Sequence, residues 1–532
     1  MKSSDHPGRR LLLTAVAVVM LLPAVSGVAY GSQADDEVAD ARMQARIDEI
    51  LQNAWKEASV IPSVPATDTE FLRRVHLDLI GCIPAVSEVR SFLDDTSPDK
   101  RTQLIDTLLA KPAHATHLAD VWSQFLLPDD AMVNQMGGTT RFETWLRNGF
   151  AENRSYAEIV RELLLAKGQP TDSGPALYYT SLELKPEKIA ASTSRAFLGI
   201  QIQCAECHNH PFDKWTQRDF WGYAAFFARV SRGNNGNVMP AVFVSDQNAG
   251  EVMIPNSKDV VPPRYLLGDI VPESSERTRR EFLADWMTSS SNPYFAKAAV
   301  NRVWAQLFGR GIVDPPDDMR EPEAAHLKLL LHELSTYFAA TGYDVKRLFR
   351  VLVTTDAYQL SSGKSAGEER PPELFAAMQL KILSAEQLYS CVAAATCRPY
   401  DNVLASVPSS SARRAMTNRT TFVNSFRAPS GSPTEYLSGI PQALMLLNGR
   451  LVDDATALKR SDILVSLDAP FLTDAERVET LFLATLSRPA SPEIGKKFEE
   501  YVASQKTPDD KQNALGNVLW ALLNSAEFGM NH

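Results

Sequence analysis

Helix starts are written into this chain more plainly than any other feature, and they restrict it to a largely helical fold. Thr67-Asp-Thr-Glu70 stands before "FLRRVHLDLI", Ser155-Tyr-Ala-Glu158 before "IVRELLLA", and Thr473-Asp-Ala-Glu476 before "RVETLFLATL". In each, the hydroxyl can accept from an orphaned N–H of the first turn while the glutamate reaches back to the capping residue. Ser97-Pro98, Ser491-Pro492 and Thr507-Pro508 set a cap before a proline at the first helical position. Leu104, Ile105, Leu108 and Leu109 then form an apolar stripe at helical spacing. Gly168 is placed to close the helix that Ser155 opens.

One region interrupts this pattern. Between Gly233 and Gly268 the short β-favouring runs "AVFVS" and "EVMI" are separated by turn residues and read as a small hairpin or two. The proline-rich end of this region marks a domain boundary near residue 270. The polar stretch "VPSSSARRAMTNRTTFVNSFRAPSGSPTEYLS" reads as an excursion over the surface. The expected fold is mostly α, with two helical domains, 35–270 and 271–532, and a small β-hairpin insertion before their boundary.

The first 34 residues read as a secretory signal peptide. Arg9 and Arg10 supply a basic start, Leu11 to Val25 is apolar, and small residues follow before the charge turns acidic at Asp35. Cleavage is expected after Gly31 or Ala34, which places the mature chain in the periplasm or outside the cell. An uncleaved anchor is the competing reading. No later run is long and apolar enough to span a bilayer. The chain has 54 basic and 64 acidic residues; without Lys2, Arg9, Arg10 and Asp5 the balance is 51 to 63, a net −12. That charge argues against nucleic acid and anionic membranes as partners.

Five cysteines are too few for a disulfide scaffold in an exported protein of this size. Cys82, among apolar residues in "DLIGCIPAV", reads as a small core residue. Cys391 and Cys397 would be separated by a rise of about 9 Å on a continuous helix, and a disulfide needs Cα atoms within about 7 Å. They can pair only if the helix ends between them, which Pro399 permits.

Cys204 and Cys207 carry the clearest chemical signature, in "CAECHNHPFDKW". C-x-x-C-H is the attachment pattern of c-type haem: two thiols add across two vinyl groups and the next residue, His208, turns to the iron. A helix from Pro186 through "PEKIAASTSRAFLGIQIQ" is expected to deliver the chain directly to Cys204. Three other readings stay open. Cys204, Cys207 and either His208 or His210, with Asp213 or a distant fourth group, could hold zinc. The two cysteines could form a disulfide. The segment could also be a packed turn without a ligand. For a second iron ligand the sequence offers His114, His117, Met239 and Met253. Asp213 is either a partner of a ring N–H or the cap of the next helix, and Trp215 either covers a cofactor or packs in the core.

A second constellation lies in "NRVWAQLFGRGIVDPPDDMRE". Asn301, Arg302 and Trp304 belong to a helix closed by Gly309, and Asp314, Asp317 and Asp318 follow in a proline-rich loop. Such carboxylates can do acid–base work or hold a hard cation, but capping, or pairing with Arg302 or Arg310, is the favoured reading. No phosphate loop, dinucleotide fingerprint, G-x-S-x-G or H-E-x-x-H is present.

"FLRRVHLDLIGCIPAVSEVRSFLDDTSPDKRTQLIDTLLA" together with "IQCAECHNHPFDKWTQRDFWGYAAFF" resembles the N-terminal member of a domain pair of unknown function. The pair is abundant in planctomycete exported proteins, and this member is often linked to cytochrome c-like modules. "NPYFAKAAVNRVWAQLFGRGIVDPPDDMRE", "GYDVKRLFRVLVTTDAYQLSS", "LSAEQL", "IPQALMLLNG" and "ALGNVLWALLNSAEF" resemble its C-terminal companion. The resemblance carries no settled activity. It implies a cell-envelope location and a cytochrome or other envelope protein as partner, and its motif falls here on Cys204, Cys207, His208, His210 and Asp213. The chain departs from the pattern at "REPEAAHLKLL", where an Asn-Pro-Pro turn would be expected, and at Cys82, where the pattern more often has an aliphatic residue. Two functional readings follow: a redox or electron-transfer protein with one haem c, or a non-redox binding or scaffold protein with a structural Cys/His metal site or none.

Overall fold

A computed structural model describes residues 33–128, 138–232, 243–266, 268–274, 276–363, 370–397 and 461–532, with isolated residues between 398 and 460. The expected signal segment, Met239 and the polar excursion lie essentially outside these described residues. The mostly α fold is as expected, with nineteen α-helices and three two-stranded antiparallel sheets among the described residues.

The first half contributes α1 (Gln33–Glu57), α2 (Asp68–Ile80), α3 (Val86–Asp94), α4 (Lys100–Ala110), α5 (Pro112–Leu126), α6 (Gly138–Ala151), α7 (Tyr156–Leu164), α8 (Ala176–Ser181), α9 (Pro186–Thr193) and α10 (Gln217–Ala224). Strand β1 (Val230–Arg232) pairs with β2 (Val244–Asp246), and β3 (Val252–Met253) with β4 (Val260–Val261), so the interrupting region does hold two hairpins. The second half adds α11 (Arg279–Met287), α12 (Phe295–Phe308), α13 (Ala325–Ala340), α14 (Val345–Val353), β5 (Lys381–Ile382), α15 (Ala385–Ala395), α16 (Asp462–Leu467), α17 (Asp474–Leu486), α18 (Pro492–Ala503), α19 (Pro508–Leu523) and β6 (Met530–Asn531). The terminal β6 returns to pair with β5.

Packing does not follow chain order. Helix α1 lies against α13 and α14, α4 against α14, and α3 against α17. The larger core runs without a break from Met43 to Met378, and the smaller one joins Leu77, Cys82 and Ile83 to residues 383–528. Helix α2 sits at this junction and is buried along its length from Phe71 to Leu79, both arginines included. Arg73 donates to the carbonyls of Thr485, Glu527, Phe528 and Met530, and Arg74 to those of Tyr358 and Leu360. Each guanidinium offers five donors in a fixed fork, enough to satisfy several chain ends at once.

The helix starts are largely where the caps put them, with instructive exceptions. Thr473 and Glu476 make the full reciprocal box, and Ser491 and Thr507 cap as expected. Thr67 accepts from the Glu70 N–H, but the Glu70 carboxylate turns instead to Ser361, Ser362 and Arg74. Ser155 caps nothing, because its hydroxyl donates to the Gly342 carbonyl. Helix α4 starts at Lys100, two residues beyond Pro98, and Ser97 instead closes a turn on Asp95. Gly168 lies beyond the end of α7 and bridges to Val244. At Ser155, Glu70 and Gly168 a tertiary partner competes successfully with a local cap worth about 1 kcal/mol, whereas at Ser97 the competitor is the neighbouring Asp95.

Candidate functional site

The approach to the cysteine motif is not one continuous helix. Helix α9 widens into a π-type turn at Ser194–Leu198 and stops at Gly199, whose φ of 65° lies in the left-handed region. A Cβ there would sit 3.0 Å from Met319 Cβ, and the Met319 N–H donates to the Gly199 carbonyl. Glycine thus both ends the helix and admits the second half of the chain. Cys204 then falls in a separate 3₁₀ turn, Gln203–Glu206.

This turn is bolted to α10. The Glu206 carbonyl accepts from Gln217 Nε2 and Trp221 Nε1, both at 3.0 Å, and Asn209 Oδ1 accepts from the Gln217 N–H. Ile202 and Ala205 point inward, while Cys204, Cys207 and His208 face solvent and both thiols are free. The His210 N–H donates to the Trp215 carbonyl at 2.8 Å and closes a loop with Phe212 at its tip, 86% exposed. Trp215 is buried, with Lys214 Nζ 4.9 Å from its ring centroid. Asp213 accepts from the Lys214 N–H and does not cap α10; Thr216 does that, in a reciprocal box with Asp219.

The two histidines are held differently. His208 Nδ1 lies 2.7 Å from the Asn209 carbonyl, so that nitrogen carries the proton and Nε2 keeps its lone pair. His210 Nδ1 instead accepts from the Phe212 N–H at 3.3 Å, which puts its proton on Nε2. His208 therefore presents an open ligand atom and His210 does not. Among the described residues no group of three or more His, Cys, Asp and Glu converges as a metal site; zinc on Cys204, Cys207, either His208 or His210, and Asp213 would require the loop to rearrange. The residues do fit covalent attachment of a haem, which asks only for two accessible thiols and one available imidazole.

The candidates for a second iron ligand are not gathered here. His114 and His117 lie in the core of α5 and face the end of α2. His114 Nδ1 is 2.7 Å from the Leu79 carbonyl, and a side chain at Gly81 would collide with the His117 ring. Burial pulls their pKa values down to about 4 and about 3. Met253 is exposed on β3.

The second constellation is structural where the sequence is most polar. Buried Asn301 donates to the Val313 and Pro316 carbonyls and accepts from the Val313 N–H, pinning the proline-rich loop. Asp314 lies by Arg310, Asp317 accepts from Gln201, and Asp318 pairs with Arg320. Among the described residues Arg302 pairs with no carboxylate; it stacks 3.4 Å from the Phe125 ring centroid. Trp304 is wholly buried against Phe308.

The two constellations nonetheless meet. A cleft of about 650 Å³ opens between Phe212, Lys214 and Trp215 on one side and Tyr294, Lys297, Arg320 and His332 on the other. Sequence reasoning missed this cleft and its far wall, and it ran the helix straight through Gly199, the one residue that could have signalled a close approach. A family model described as a protein of unknown function, PSCyt2 (DUF1549), matches residues 46–232, and a second one so described, PSD1 (DUF1553), matches residues 279–502. No curated protein and no solved structure matches the chain. With the cysteine motif inside the first match and the far wall of the cleft inside the second, the chain belongs to the proteins of unknown function built on a PSCyt2 domain followed by a PSD1 domain.

Proposed function

We propose that this is an exported cell-envelope protein that carries one haem c on Cys204 and Cys207, with His208 as an axial ligand, and works in electron transfer. The observation that carries the reading is the solvent-facing C-x-x-C-H turn, with both sulfurs free and the Nε2 lone pair of His208 open. When bound, a haem would supply one-electron redox chemistry. The chain's own part is to hold and orient. Cys204 and Cys207 would anchor the group, the Asn209 carbonyl fixes the His208 tautomer, and Glu206 ties the turn to α10. The partner would be a cytochrome or another envelope protein. On the same reading the two modules meet near residue 270, within the stretch that neither family match covers.

Expression beside the haem-attachment machinery tests this. A porphyrin band that stays with the unfolded polypeptide is expected, abolished by Cys204→Ser with Cys207→Ser. His208→Ala should alter the iron spectrum while the porphyrin remains attached. A colourless wild-type protein would sink the proposal. Stoichiometric zinc lost on His210→Ala would then point to the metal-site reading instead.

A further inference from the structure

Cys82 and Cys391 are 309 positions apart, one in each family module, yet they share one buried spot in the smaller core. Cys82 follows the end of α2 and Cys391 lies on α15. Their relative exposures are 2% and 0%. The Cys82 thiol donates to the carbonyl oxygen of Ser390, the residue next to Cys391, at 3.4 Å, and the two thiols are close enough to perturb each other's ionisation. One turn away, Gln387 Nε2 donates to the Leu77 carbonyl at 3.0 Å, so the two helices are held in register beside the thiols.

We propose that Cys82 and Cys391 form a disulfide that clamps α2 of the first module to α15 of the second. The approach of Cys82 Sγ to the backbone beside Cys391, inside one buried cluster, meets the first geometric need of such a bond, that the two residues be close. Their environment also assigns roles. Burial opposes ionisation of Cys391, but the Cys82 S–H, the Arg73 guanidinium and the Ile83 N–H outweigh it and lower its pKa below the ordinary thiol value. The neighbouring Cys391 thiol and burial raise that of Cys82. While this environment assembles, before it is sealed, Cys391 is therefore the attacking thiolate. It displaces one thiolate from a disulfide oxidant, such as oxidised glutathione or an envelope thiol oxidoreductase, and forms a mixed disulfide. Cys82, losing its proton, then attacks the Cys391 sulfur and expels the second thiol. The oxidant leaves as two thiols, having taken two electrons and two protons. Because both sulfurs are sealed in the native fold, the bond closes as α2 and α15 dock. The proposal needs no haem and stands apart from the preceding one.

The test is a peptide map of the full chain, unfolded under reduction, refolded with oxidised glutathione, acid-quenched and alkylated without reductant. Trypsin should release 75–90 joined to 382–413, since Pro399 blocks cleavage after Arg398, and backbone fragmentation separates Cys391 from Cys397. The melting temperature should fall by about 3–8 °C on reduction, and Cys82→Ala should remove that shift. Protein taken directly from the cell envelope and mapped in the same way replaces the refolded sample if its yield is low. Cys82 and Cys391 both recovered as alkylated thiols from folded, oxidised protein would overturn the proposal, as would a Cys391–Cys397 bond. The same map reports Cys204 and Cys207 with or without porphyrin, so the two proposals can fail separately.

Discussion

The chain holds two pairs of neighbouring thiols in opposite settings. Cys204 and Cys207 are three residues apart on an exposed turn whose backbone is tied to α10. Cys82 and Cys391 are buried, and nothing in local sequence connects them. The comparison separates two ways of bringing sulfur to sulfur. A short turn does it by covalent spacing, stays accessible, and suits attachment of something from outside. A packed core does it by folding, excludes reagents, and suits a bond that holds the fold itself.

The most forceful test of this contrast is thiol modification of the reduced, haem-free native protein. Cys204 and Cys207 should react with iodoacetamide at least about a thousandfold faster than Cys82 and Cys391, because the buried pair reacts only through openings that cost several kcal/mol. Comparable rates, read by quenched mass spectrometry, would erase the distinction. A second test weighs the buried region directly. Arg73→Met removes the cation that serves four carbonyls around the smaller core. It should cost about 3–5 kcal/mol of stability in denaturant unfolding, while the modification rates at Cys204 and Cys207 in the folded protein stay unchanged. A loss below about 1 kcal/mol would mean that the seam does not depend on this arginine. The smallest expected effect sharpens the same division between local and tertiary causes. Thr473→Ala breaks a complete capping box and should cost about 1 kcal/mol. Ser155→Ala leaves the start of α7 unaffected and loses only the exposed hydrogen bond to Gly342, so thermal melts should place it well below Thr473→Ala.

What could be read from sequence were features whose cause lies within a few residues. The cap at Thr473, the prolines after Ser491 and Thr507 and the closing Gly309 act through one turn of backbone, and the structure places each where its chemistry requires. Misreadings arose where a distant partner intervened. Ser155 gave its hydroxyl to Gly342, Glu70 turned to Ser361 and Ser362, and Gly199 stopped the approach to Cys204 because Met319 packs there.

The sequence by itself determined the helical character, most helix starts and the close spacing of Cys204 and Cys207, since short-range hydrogen bonding and covalent spacing suffice for all of them. Only the tertiary structure decided that Arg73 and Arg74 lie inside, that Phe212 and His332 face one cleft, and that Cys82 meets Cys391. Those outcomes depend on residues hundreds of positions apart being buried against each other. Burial is a property of the packed whole: a guanidinium or thiol is worth hiding only once the carbonyls or sulfur that satisfy it have been folded into reach.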